Sequence, residues 1–190
     1  QGPLHTYYFF IYNRKFQDAV NKIERFPKPV IAAIDGYALG GGLEIAMACD
    51  FRIVTDKSEF GQPEITLGII PGAGGTQKLI RYVGLGRAKE LIMLGDRIKA
   101  DEAYRVGLVN RVVSKEKFED EVRSFAMRLA QGPPIALTYA KYAVNFGTQV
   151  PVDIGMLLEA AFFSMAVNTK DAQEGVMAFA MRRRPEFKGE

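Results

Sequence analysis

Residues 38–50 read Ala38-Leu39-Gly40-Gly41-Gly42-Leu43-Glu44-Ile45-Ala46-Met47-Ala48-Cys49-Asp50, three glycines and then one carboxylate in a run that is otherwise almost wholly apolar. Gly40 to Gly42 predicts the entry of a helix that runs to about Cys49. Such an entry leaves backbone N–H groups unpaired at the positive end of the helix dipole. It can hold a phosphate or the oxygen of a polarised carbonyl, and it equally serves close packing of helix on strand. Glu44 also has two readings. In the first turn of a helix a carboxylate gains about 0.3–1 kcal/mol from the dipole, which accounts for it at a surface. Its neighbours Leu43, Ile45, Ala46, Met47 and Ala48 leave no polar face, and a helix apolar all round is a buried one. A carboxylate there must be paired, protonated or facing a cavity.

On either side of this stretch, Val30 to Ile34 and Phe51 to Thr55 read as short buried strands, with a turn signal at Asp35-Gly36. Upstream, an amphipathic helix is expected from about Tyr12 to Arg25, with Phe16, Val20 and Ile23 on one face and Pro27 and Pro29 ending it. Gln1-Gly2-Pro3 reads as the remnant of a cleavable tag. Downstream, Glu59 to Gly61 is a stub of extended chain. The run PGAGGTQKLIRYVG, from Pro71, gives a second glycine-rich helix entry with a stop at Gly84. A helix follows to near Gly95, a short one over Ala100 to Val106, and a strand-like run from Gly107 to Val113. Helices are expected over 115–131, 134–147, 152–166 and 170–182, with Ser114 a candidate N-cap. Short buried strands mixed with helices, followed by a helical appendage, make an α/β chain of one structural unit.

Composition sets limits. The 190 residues suffice for a sizeable core, and 48% hydrophobic with 25% charged residues is ordinary for a globular protein. A net charge of +3 is too small to argue for nucleic acid. The lone Cys49 excludes an internal disulfide and reads as a small buried hydrophobe, and the single His5 argues against a His-rich metal site. The apolar region Val30 to Val54 is interrupted by Asp35, Glu44, Asp50 and Arg52, so it is not a membrane span. A cytoplasmic protein fits, or an organellar matrix protein in a eukaryote.

Neither glycine run is a nucleotide loop, because Gly-Lys-Ser/Thr and the G-x-G-x-x-G spacing are both absent. A second carboxylate, Glu64, follows Phe60-Gly61-Gln62-Pro63 and leads into the second glycine run. Alone it reads as a solvated loop residue. Two carboxylates, each beside a row of free backbone N–H groups, are parts for general acid–base work on a carbonyl compound.

PVIAAIDGYALGGGLEIAMACDFRIV followed by FGQPEITLGIIPGAGGTQKLIRYVG closely resembles the crotonase (enoyl-CoA hydratase/isomerase) superfamily. The likeness continues through AKELIMLGDRIKADEAYRVGLVNRVV to DAQEGVMAFAMRRRPEFKG, and so covers the chain from Lys28 onward. The resemblance implies a crotonase-like spiral of ββα turns forming two sheets, here the C-terminal part over 4–113. It also implies a helical trimerisation region over 114–190, in a homotrimer or a dimer of trimers. By the resemblance Glu44 and Glu64 fall on the two catalytic glutamates that hold a water, and Gly41 on the glycine whose N–H is half of the oxyanion hole. Ala38, Leu39 and Gly40 fall on substrate-binding backbone. Gly72 falls in a loop that polarises the thioester side, Phe163 on the acyl pocket, and Phe179 and Arg182 near the CoA of a neighbouring subunit. Arg182 stands where the family has Lys, which keeps the charge and alters the geometry. The residues alone read Phe163 as core and Arg182-Arg183-Arg184 as a solvated helix end.

The implied reaction is reversible syn hydration of a trans-2-enoyl-CoA thioester to a 3-hydroxyacyl-CoA, as in fatty-acid β-oxidation. No metal and no cofactor are expected, since CoA is part of the substrate. Keeping both glutamates favours a hydratase over an isomerase or another acyl-CoA enzyme of the family. Rival readings are a non-catalytic acyl-CoA-binding protein and an RNA-binding one, the latter supported only by weak positive charge and three arginines. The chain departs from the family pattern before Lys28. Nothing matches the alanine-glycine-aspartate turn that supplies the other oxyanion donor, so residues 1–190 alone are expected to have little activity.

Overall fold

The computed structural model describes residues 2–190; Gln1, part of the expected tag remnant, lies outside the described residues. In chain order the elements are α1 (Pro3–Arg25), β1 (Ile31–Ile34), β2 (Tyr37–Leu39), α2 (Gly41–Ala48), β3 (Phe51–Thr55) and β4 (Glu59–Gly61). A 3-10 turn (Pro63–Leu67) leads to α3 (Gly75–Val83), α4 (Leu85–Leu94), β5 (Arg97–Lys99), α5 (Ala100–Arg105) and β6 (Arg111–Val113). The remainder is α6 (Phe118–Ala130), α7 (Pro134–Gly147), α8 (Val152–Val167) and α9 (Lys170–Ala180). The chain forms two compact units, one made of the residues up to Glu24 with Val30–Val122, the other of Arg25–Pro29 with Arg123–Glu190.

Six short strands make two three-stranded sheets in the first unit. One has the order β1-β3-β6, all parallel, with Ile31 opposite Phe51 and Ile53 opposite Arg111. The other has the order β2-β4-β5, with β2 parallel to β4 and β4 antiparallel to β5. In it Leu39 stands opposite Gly61, and the next N–H, of Gly40, donates to the Gly61 carbonyl at 3.0 Å. Both strands therefore release the chain at the same level.

The core of this unit joins Leu43 and Met47 of α2 to Val54, Phe60, Leu79, Leu91 and Leu108. Arg52 on β3 is 2% exposed and closes the C-terminal end of α2. Its Nη1 donates to the carbonyls of Ala46 (3.0 Å) and Cys49 (2.8 Å), its Nε to Leu108 (2.6 Å), and its guanidinium lies 4.3 Å from the centre of the Tyr82 ring. A buried cation at a helix C-terminus meets carbonyls with no intrahelical partner.

Several expectations change. The helix α1 begins at Pro3, not near Tyr12, because proline is tolerated at a first helical position; its first turns carry Tyr7, Tyr8 and Phe9 exposed. Strands β2 and β5 are additional. The strand-like run from Gly107 narrows to β6, since the Leu108 and Val109 N–H groups donate back to Ala103 in a turn closing α5. Ser114 occupies an N-cap, of a 3-10 turn (Lys115–Lys117), without a side-chain cap hydrogen bond.

In the second unit α7 and α8 pack closely, a Cβ on Gly155 falling 2.9 Å from the Gly147 carbonyl oxygen, and Tyr139 stacks on Phe162 at 5.4 Å. Helix α9 stops at Ala180, short of the arginine triplet. Arg182 takes φ +53, with its N–H on the Phe179 carbonyl and that of Arg183 on Ala178. This is the Schellman closure, built with arginine where glycine is usual. Arg183 is not simply solvated: its guanidinium forks onto Glu174 at 2.6 and 2.8 Å. Asp171, buried, accepts from the Lys188 and Gly189 N–H groups and pins the C-terminal residues. No single helix among the described residues is long and apolar enough to cross a membrane.

Candidate active site

The side-by-side ends of β2 and β4 bring the two carboxylates to one place. From β2 the chain enters α2 through Gly40, whose φ of +52 favours glycine. A Cβ at Gly40 would lie 3.0 Å from Glu64 Oε1, so the Glu64 carboxylate rests over this turn. From β4 the chain passes through Gln62, fully buried, to Pro63 and Glu64. Its surroundings orient the Gln62 amide with the nitrogen toward Glu64, donating to Oε1 at 2.9 Å and Oε2 at 3.0 Å.

Glu44 lies in the first turn of α2 and is 1% exposed. Its Oε1 accepts the N–H groups of Ala73 and Gly75, each at 2.7 Å. The second glycine turn thus aims its N–H groups at Glu44 instead of outward. Of the three ways a buried carboxylate can persist, this is pairing, with backbone donors at a helix entrance. The helix α2 is not closed on every side, however: Gly42 is exposed and Ile45 is 42% exposed.

The two carboxyl groups sit in different surroundings. Burial pushes the Glu64 carboxyl above its ordinary value, its own backbone N–H pulls it part of the way back, and the neighbouring Glu44 charge raises it further. Glu44 Oε1 accepts two N–H donors, which leaves Oε2 as the oxygen that can turn to chemistry. The N–H of Gly41, first in α2, has no intrahelical acceptor. Two carboxyl groups in unequal surroundings and an N–H at the α2 entrance are parts that can add water across a bond conjugated to a carbonyl.

Ala38, Leu39, Gly40, Gly41, Glu44, Glu64 and Gly72 all lie in the first unit, Ala38 and Gly40 buried and Leu39 half-buried. Phe163, Phe179 and Arg182 lie in the second unit and are exposed, Phe179 to 87%, so Phe163 is not a core residue of that unit. Sequence reasoning missed Gln62, Ala73 and Gly75 as partners of the glutamates. The spacing GQPE could have pointed to Gln62; the Ala73 and Gly75 contacts are backbone and carry no residue signal. Among the described residues no group of His, Cys, Asp and Glu could hold a metal ion.

A family model described as enoyl-CoA hydratase/isomerase matches residues 9–190. The chain is 48% identical over 171 residues to a crotonyl-CoA hydratase of Syntrophomonas wolfei, covering 90% of this chain and 66% of that protein. It is 50% identical over 152 residues to a short-chain-enoyl-CoA hydratase of Clostridioides difficile, covering 80% of this chain and 97% of that one. A crystal structure of an enoyl-CoA hydratase from Bacillus anthracis superposes with a TM-score of 0.92 at 43% identity, over all of this chain and 72% of the other.

Proposed function

The chain belongs to the enoyl-CoA hydratase/isomerase family, and from that premise we propose that it carries the acid, the base and one oxyanion donor for reversible syn hydration of a trans-2-enoyl-CoA. The observation that carries the reading is the unequal pair: Glu44 fixed as an acceptor by two N–H groups, and Glu64 with its carboxyl pushed toward the protonated form. Environments that push two carboxyl groups apart assign a base and an acid.

The thioester oxygen accepts the Gly41 N–H, which draws electron density from C3. Glu44 Oε2 takes a proton from water as the water oxygen bonds to C3. The C2–C3 π electrons move to C2, which takes its proton from Glu64. Both groups sit at the same turn, so H and OH add to the same face. The proton on Glu44 then passes back to Glu64 before the next turnover. Ala38, Leu39, Gly40 and Gly72 shape the thioester side, Phe163 an acyl wall, and Phe179 and Arg182 a contact for CoA. Self-association through residues 114–190 is supported by α8, apolar apart from Asp153, Glu159 and Ser164 and with Met156, Leu157 and Phe163 exposed.

Crotonyl-CoA hydration by the full-length protein tests the reading. Turnover that falls by orders of magnitude in Glu44→Gln and in Glu64→Gln is expected; normal turnover in both variants sinks it.

A further inference from the structure

The peptide unit joining Gly72 to Ala73 is gripped at both ends. Its carbonyl oxygen accepts from Asn13 Nδ2 at 2.9 Å and from Gln17 Nε2 at 2.8 Å. Its N–H donates to Glu44 Oε1 at 2.7 Å. In a planar trans peptide the C=O and N–H point in opposite directions, so a donor that fixes the oxygen fixes the line along which the N–H is aimed. Two donors on the carbonyl also polarise the peptide and strengthen its N–H toward Glu44.

The helix α1 is built for this grip. Asn13 and Gln17, four residues apart, share a face. Val20 continues that face into a buried contact with Ala48 and Ala73, and Glu24 ends it in an ion pair with Lys78 of α3 at 2.6 Å. Arg14 Nη1 donates to Gln17 Oε1 at 2.9 Å, which turns the amide nitrogen toward Gly72. A Cβ on residue 72 would fall 2.6 Å from Asn13 Oδ1, so glycine there is what lets Asn13 reach the carbonyl.

We propose that Asn13 and Gln17 are positioning residues, which act through the Gly72–Ala73 peptide to hold the Glu44 carboxylate in line for water activation. The catalytic half of this rests on the hydration reading; the mechanical half does not. The test uses the full-length protein with Asn13→Leu, Gln17→Met and the pair, near-isosteric changes that remove the donors and keep the volume. Thermal unfolding confirms which variants fold, and each single change keeps one donor. For crotonyl-CoA, kcat is expected to fall about tenfold in each single variant and toward a hundredfold in the pair, with KM little changed. In a Glu44→Gln background the pair should cause no further loss, because the group being positioned is gone. Independently of turnover, the Ala73 amide proton, followed by NMR, should move upfield in the Asn13 and Gln17 variants. Wild-type kcat in the pair, an equal loss in the Glu44→Gln background, or an unmoved Ala73 amide overturns the proposal. Should the wild-type protein leave crotonyl-CoA unhydrated, the hydration reading fails. The Ala73 amide then decides the positioning of Glu44: a shift supports it and no shift overturns it.

Discussion

Replacing Glu44 by glutamine and by alanine should separate its chemical role from its structural one. Both backbone donors, of Ala73 and Gly75, converge on the single atom Oε1. A glutamine carbonyl placed there keeps both hydrogen bonds and loses only their charge assistance. That is about 1 kcal/mol per bond, so about 2 kcal/mol at most, less what is gained by burying a neutral amide. Alanine leaves two buried N–H groups without acceptors, at about 1–3 kcal/mol each, and so costs about 2–6 kcal/mol. Catalysis ranks the two differently. Glutamine cannot accept a proton from water, and loss of a general base lowers the rate by about 10²–10⁴, or roughly 3–5.5 kcal/mol of barrier. Hydration is followed by the fall of the enoyl-thioester ultraviolet absorbance, and stability by thermal unfolding. Glu44→Gln should therefore fold nearly as well as wild type and be almost inactive, while Glu44→Ala should lose both properties. Turnover of Glu44→Gln within tenfold of wild type would refute the base assignment. Equal destabilisation of the two variants would refute the single-oxygen geometry.

For Glu64, whose carboxyl is raised by burial and then by the Glu44 charge, the protonated acid persists above the ordinary range and is lost as pH rises through its pKa. The alkaline limb of kcat/KM should report this loss, and in Glu64→Gln that limb should vanish with most of the activity. Arg52→Leu removes the donor that serves the Ala46 and Cys49 carbonyls at the end of α2 and the one on the Leu108 carbonyl, and should cost about 1–3 kcal/mol for each carbonyl left unpaired, read as a lowered unfolding midpoint. Glu174 is pulled from the ordinary 4.5 to about 2 by its hydrogen bond with Arg183 and then by the Glu186 N–H. Its stabilisation is full above 4.5 and lost as pH falls toward 2. The protection of the Glu186 amide, its exchange rate relative to the intrinsic rate at each pH, should fall over that interval, and constant protection would contradict the pairing.

The elements most legible in the sequence are those with their own punctuation. β3 and β4 fall on the expected residues, and Gly84 ends α3 as its position predicts. β2 and β5 escape because three residues carry too little pattern: in Arg97-Ile98-Lys99 only Ile98 is buried, and pairing with β4 supplies the rest. Glu44 announces itself as an anomaly, a charge in an apolar helix, but its partners lie 29 and 31 residues away on the backbone. No side-chain pattern encodes such a contact. Arg52 reads from the sequence as a break in an apolar run, and only its hydrogen bonds to the Ala46 and Cys49 carbonyls show that it closes the helix. The pairing of the two glutamates came from the resemblance to a family, whereas their difference in surroundings came from the structure.

The register that sets Leu39 opposite Gly61 has a consequence for how such a protein changes. The spacing of the two carboxyl groups is held by a ladder of main-chain hydrogen bonds, and a slip of one residue would offset the two chain exits by about 3.3 Å. Side chains elsewhere can then be exchanged while the reacting groups keep their mutual distance. Substrate preference is free to drift under selection on an invariant chemical frame.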